Sequence, residues 1–206
     1  PGANAGTNTP TTSETFTVER GPLLFTNLLD AHGFPANSLG NGNYAFTNNV
    51  PVYPLKTTGG YIDVNRNGII DAGDVKAGEL SLRSMNSGQV ITIASTLATN
   101  GDIKARLIEL GFTESQLAYN LPSNDKMIAA LSDELYAYWT KNPTTDLSQL
   151  SLETFNSLTT AIQTRIAQYQ ASTATAAQLE QVLITELSSN LNEQMVSETL
   201  DRKSVV

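Results

Sequence analysis

The sequence predicts an α+β chain, with a small antiparallel β-sandwich or barrel over residues 15–91 and a helical bundle over residues 92–206. Three observations predict it. Before residue 92, apolar residues alternate with period two between frequent Gly/Asn turns. After it, they recur every three or four residues. No long linker separates the two patterns, and residues 1–14 form a polar, small-residue tail (PGANAGTNTPTTSE) ahead of both.

The elements follow in order. Thr15-Phe16-Thr17-Val18-Glu19-Arg20 alternates, and Leu23 to Leu29 reads as one mostly apolar strand ending in the turn Asp30-Ala31-His32-Gly33. Asn41-Gly42-Asn43 is a hairpin turn leading into the strand Tyr44-Ala45-Phe46. Val50 to Leu55 is extended, and Pro51 and Pro54 keep it from a central strand position. Glu79 to Met85 alternates again, and Gln89-Val90-Ile91 adds a short strand. Ala94, Leu97 and Ala98 begin the helical pattern, which breaks at Asn100-Gly101. A second helix from Asp102 points Ile103, Leu107 and Leu110 inward and stops at Gly111. Thr113-Glu114-Ser115-Gln116 has the capping-box pattern. Met127, Ile128, Leu131, Leu135, Tyr138 and Trp139 mark a further helix, closed before Asn142-Pro143. Two last stripes, Leu152-Phe155-Leu158-Ile162-Ile166-Tyr169 and Leu179-Leu183-Leu187-Leu191-Met195, are expected as bundle core.

Composition narrows the function. The 206 residues carry 12 Lys+Arg against 20 Asp+Glu, a net charge of −8, with one His and no Cys. Charged residues are only 16%, and about 60 Thr, Ser and Asn replace them, a surface typical of secreted or cell-surface proteins. The absence of a basic patch argues against a nucleic-acid partner, and no apolar run reaches the ~18 residues of a membrane span. Disulfides, thiolate sites and multi-His metal centres are excluded by the Cys and His counts. The opening Pro1-Gly2-Ala3-Asn4-Ala5-Gly6 is compatible with a mature N-terminus left after cleavage.

Chemistry concentrates in Asp63-Val64-Asn65-Arg66-Asn67-Gly68-Ile69-Ile70-Asp71-Ala72-Gly73-Asp74. Oxygen side chains stand at positions one, three, five, nine and twelve, with Gly at six and an apolar residue at eight. That is the layout of a twelve-residue Ca2+ loop. Calcium takes six to eight hard oxygen ligands, and alternate residues set Asp63, Asn65 and Asn67 around one side of an ion. Gly68 permits the turn, the Ile69 carbonyl supplies a main-chain ligand, Ile70 tucks into the core, and Asp71 and Asp74 close the far side. An Asx-rich turn that caps itself explains the Asn and Gly residues but leaves three carboxylates without a counter-charge. With three acids and Asp at twelve, the affinity expected is that of extracellular modules, on the order of 10⁻⁴–10⁻³ M.

This loop is similar to the calcium loops of dockerins, which also favour Asp at the twelfth position, and it looks like the Asp/Asn-rich loops of thrombospondin type 3 repeats. A dockerin has two loops, each followed by a helix. Here an alternating segment follows and there is no second loop. Residues 15–120 more widely resemble modules of large bacterial surface and adhesin-type proteins. The segments that carry this are Phe16 to Pro22, Asp30 to Gly33, Gly40 to Phe46, Gly59 to Asp63, Leu80 to Ser84 and Val90 to Leu97. The resemblance implies an extracellular, structural or adhesive role without catalysis.

Other candidates have plain readings. His32 is expected as a solvated turn residue, Asp133 and Glu134 as a solvated helix face, and Tyr136, Tyr138 and Trp139 as core before a sugar platform. Glu180, Glu186, Glu193 and Glu198 are expected on the solvent face of the last helix. Two functions follow. One is a subunit of a filament or surface layer, in which residues 1–20 leave their own body and add a strand to another copy, burying Phe16 and Val18 there. The other is a monomeric adhesin or carbohydrate-binding module for a surface glycan.

Overall fold

The computed structural model describes residues 13–47 and 49–187. It is mixed α+β, with short strands first and helices after. The strands are β1 (Thr15–Val18), β2 (Leu23–Leu24), β3 (Asn27–Leu29), β4 (Asn37–Gly40), β5 (Asn43–Ala45), β6 (Lys56–Thr58), β7 (Tyr61–Ile62), β8 (Val75–Lys76) and β9 (Val90–Ile91). They divide among three small sheets in the orders β4-β5-β1-β9, β2-β7-β8 and β3-β6. All pairs are antiparallel except β1 with β9.

The hairpin β4–β5 turns at Asn41 and Gly42, with φ of 53° and 77°, the left-handed pair that this turn requires. The single strand expected over Leu23 to Leu29 is two strands in two sheets. Phe25, at φ 52° and 64% exposed, breaks it. Residues 79–85 bury Leu80, Leu82 and Ser84 in alternation, as expected, yet form only isolated bridges at Arg83. Side chains explain this: Leu82 N–H donates to Thr57 Oγ1, and the Leu55 N–H, a possible ladder donor, goes to Ser84 Oγ.

β1 has neighbours on both sides, and Phe16 and Val18 are fully buried in this chain's own core. Phe16 meets Phe46 edge-on at 5.8 Å and Tyr53 at 6.4 Å. Thr15–Val18 thus has an intramolecular place, against the expectation that it leaves its own body. Residues 1–12 of that expected donor segment lie outside the described residues.

Each helix starts at a side-chain cap, which satisfies donors the first turn leaves open. α1 (Ile93–Ala98) opens on the reciprocal pair Thr92/Ser95, α2 (Gly101–Glu109) on Asn100, and α3 (Glu114–Tyr119) on the expected Thr113/Gln116 box. α4 (Lys126–Lys141) opens on Asp125 and α5 (Leu152–Ala171) on Ser151. Residues 176–187 are also helical, opened by Thr175 and Gln178. In this last stretch Ala176, Glu180 and Ile184 are buried, while Leu179, Leu183 and Leu187 are half-buried. The buried stripe is therefore one residue round from the expected leucines, whose further members Leu191 and Met195 lie outside the described residues.

One apolar cluster runs through both halves, from Phe16, Leu28 and Leu82 to Leu97, Leu131 and Phe155. α4 lies at its centre and is buried almost all round, including Tyr136 and Trp139, which stack at 6.0 Å. No helix among the described residues is long and apolar enough to cross a membrane.

Candidate functional site

The loop 63–74 joins β7 to β8 and hangs on the core by its first residues: Asp63 is 1% exposed and Val64 packs in the main cluster. Left-handed backbone at Arg66 (φ 59°) and Gly68 (φ 78°) reverses the chain twice. A Cβ at Gly68 would run into the side chain of Asn41, so glycine is required there for space as well as conformation.

All five expected Asp and Asn side chains are engaged inside the loop. Asp63 accepts from the N–H groups of Asn67 (3.2 Å) and Gly68 (2.8 Å). Asn65 and Asn67 accept through Oδ1 from Asn67 N–H and Ile69 N–H, and both donate an amide N–H to Asp71 Oδ2 at 2.8 Å. Asp71 also accepts from Gly73 N–H. The Asn65 amide, the Gly73 N–H and the Asn67 amide together hold its carboxyl below the ordinary range. Asp74 accepts from Val64 N–H and Asp71 N–H, closing the ends of the loop on each other. Ile69 is 68% exposed, and Ile70, expected in the core, is 41% exposed.

Among the described residues no group of three or more His, Cys, Asp or Glu is gathered to hold a metal. The three carboxylates are turned onto amides, so the self-capping alternative accounts for the acids as well. The donor set still fits a hard cation. Five side-chain oxygens of the hard type that calcium takes sit on one short loop, with Asp71 Oδ2 occupied by the amides of Asn65 and Asn67.

A second cluster lies behind the loop, and the sequence reading missed it. Arg20 is fully buried. Its Nη2 donates to Asp133 Oδ1 at 2.7 Å, and its guanidinium lies 4.5 Å from the centre of the Tyr136 ring. Asp133, expected on a solvated face, is 0% exposed and also accepts from Tyr169 Oη. Burial raises its carboxyl against the pull of Arg20. Glu134 is likewise no free surface acid: Arg165 Nε donates to it at 2.7 Å. Glu180, expected on the solvent face, is fully buried and accepts no hydrogen bond among the described residues. Burial, with Glu19 and Asp133 nearby, pushes it up to about 8 in spite of Arg20 and Arg66. Arg66, at position four of the loop, donates to Glu19 Oε1 at 2.8 Å and stands 3.5 Å from Glu180 Oε1. A period-two count was the available signal for Arg20, which shares the buried face of Phe16 and Val18. Spacing of four residues from Ala176 to Ile184 was the signal for Glu180.

His32 is exposed, and its backbone N–H donates to Asp30 Oδ1. Compared with known proteins, the chain matches no family model, no curated protein and no solved structure.

Proposed function

We propose that this chain is a calcium-stabilised, non-enzymatic structural module of an extracellular assembly, self-associating into a filament or surface layer. The observation that supports it is the loop 63–74, whose five Asp and Asn side chains all turn into one short loop anchored in the core by Asp63. Asp63, Asn65, Asn67, Asp71 and Asp74, with the Ile69 carbonyl, would hold the ion. Calcium supplies a charge that gathers the oxygens and binds the folded chain alone, so it stabilises by mass action. The Thr/Ser/Asn-rich surface and the resemblance to bacterial surface modules support the extracellular setting.

With a dissociation constant on the order of 10⁻⁴–10⁻³ M, calcium at about 10 mM contributes about 1.4–2.7 kcal/mol. For a chain of this size that is a rise in Tm of about 3–10 °C over chelator. Asp63→Ala removes the difference. Identical wild-type melts in calcium and chelator would refute the metal site. Electron micrographs of the same samples test assembly, with filaments or sheets expected in calcium and dispersed particles counting against self-association.

One observation favours the second reading, a monomeric adhesin or glycan-binding module. A cavity of about 620 Å³ lies between the strand half and the helices, lined by polar side chains that include Arg83, Asn86, Asn100, Lys104 and Gln149. Such groups suit sugar hydroxyls. Saturable binding on a glycan panel by a protein that stays monomeric would favour it.

A further inference from the structure

We infer that Arg66 couples the loop to the last helical stretch, so that a cation in residues 63–74 tightens the docking of residues 176–187 on the body, and that docking in turn strengthens cation binding. This rests on the calcium reading above and adds a regulated element to it.

The geometry carries the inference. Arg66 stands between Asn65 and Asn67, and its side chain takes no part in the loop's own hydrogen bonds. It runs instead to Glu19 at the end of β1 and to Glu180 on residues 176–187. Ser123 donates to the other Glu19 oxygen at 3.0 Å, which fixes that carboxylate as a platform for Arg66. Glu180 has no hydrogen-bond donor among the described residues, so the nearby Arg66 guanidinium is its closest recorded compensation. Once ionised, above about pH 8, a fully buried carboxylate so poorly served makes docking of this stretch sensitive to small changes in where Arg66 is held. The same stretch seats Ile184 over Gly21, where a Cβ would come within 3.4 Å of Ile184 Cδ1, 3.1 Å of Ile62 Cγ2 and 3.0 Å of the Asp63 carbonyl. The helix, the loop's first residue and Arg66 therefore meet in one packed region.

The mechanism is preorganisation. The backbone at 65–67 is held by side-chain hydrogen bonds, with Asn67 N–H donating to Asp63 and Asn65. A cation that draws the oxygens of residues 63, 65 and 67 together restricts that backbone, and with it the position from which Arg66 reaches Glu180. Less ordering then remains when the helix docks. The coupling is reciprocal: whatever the cation adds to docking, docking adds to cation affinity.

Hydrogen exchange on the full chain tests this at a pH above about 8, where Glu180 is ionised, with calcium alone as the probe against chelator. In the wild type, calcium should slow exchange both in residues 63–74 and in residues 176–187, the latter about tenfold. In Arg66→Gln the loop should still respond and the helix should not. Because that substitution strips Glu19 of its cation, leaves Glu180 with Arg20 alone and endangers the fold, Glu180→Gln is the second variant. It keeps the shape and dispenses with the ion pair, so the calcium effect should again stay in the loop and vanish from the helix. A wild-type loop that responds while the helix does not overturns the coupling and leaves the calcium reading standing. So does a helix response that survives in Glu180→Gln. A loop that does not respond overturns both.

Discussion

Replacing Asp133 by Asn removes one charge from a pair that closes the strand half on the helices. The side chain keeps its shape, and Tyr169 Oη can still donate to the amide oxygen, which turns the amide nitrogen toward Arg20, so the loss is the negative charge and the acceptor 2.7 Å from Arg20 Nη2. Both partners are 0% exposed, and Arg20 already leaves Nε and Nη1 without hydrogen-bond partners. A buried cation stripped of its counter-charge costs about 3–5 kcal/mol, because it can neither regain water nor lose its proton. At about 2–4 °C per kcal/mol, Tm should fall by about 6–20 °C. Urea unfolding followed by fluorescence reads this directly, since Trp139 is the single tryptophan and stacks on Tyr136 beneath Arg20. Glu180 also feels Arg20, and Asp133 helps keep its proton on. Removing that charge lets Glu180 ionise more readily, so the cost should shrink as pH rises toward 8 and Glu180 supplies the missing charge. Pairing the substitution with Arg20→Met should recover part of the loss, since the double variant no longer buries a cation without its counter-charge. A loss below about 1 kcal/mol, or a double variant as unstable as the single one, would refute this account of the pair.

Two other outcomes are expected. Glu180 binds its proton more tightly in the fold than its ordinary value of 4.5 allows, up to about 8, among Glu19, Arg20, Arg66 and Asp133. Its contribution to stability is thus complete below about pH 4.5 and is lost as pH rises toward 8. Glu180→Gln should flatten that decline in Tm between pH 5 and 9, and an unchanged slope counts against the buried acid. Phe16→Ala empties a fully buried site between Phe46 and Tyr53 and should cost about 3–5 kcal/mol in denaturant unfolding. A small effect would mean that β1 packs elsewhere.

What could be read in the residues differs between elements for physical reasons. Caps and turns were legible because their chemistry is local: Thr113/Gln116 and Asn41-Gly42 do in the fold what their types dictate. Alternation over 79–85 gave the right buried face but no ladder, because pairing depends on a partner that a one-dimensional pattern does not contain. The break at Phe25 follows from tertiary packing that sends Leu24 and Asn27 to different sheets. In the loop, spacing set five oxygen side chains on one short turn, and the fold engages all five in the loop's own hydrogen bonds, while the exposure of Ile70 depends on what lies opposite. Asp133 and Glu180 were misjudged, and the burial of Arg20 was missed, for a common reason. A charged residue is assigned to solvent by type, and only the three-dimensional pairing of distant segments shows it enclosed.

The pairing of Arg20 with Asp133 spans 113 positions, and Arg66 meets Glu180 across a similar stretch. The strand half emerges first in synthesis, yet its most enclosed cation has no counter-charge until α4 has been made. β1 likewise waits for β9 before its second edge is covered. The amino-terminal half is thus expected to stay open on the ribosome, exposing Phe16 and Val18 until most of the chain has followed. In the extracellular setting proposed above, that delay would keep the chain threadable until it has crossed a membrane, with closure left to the far side.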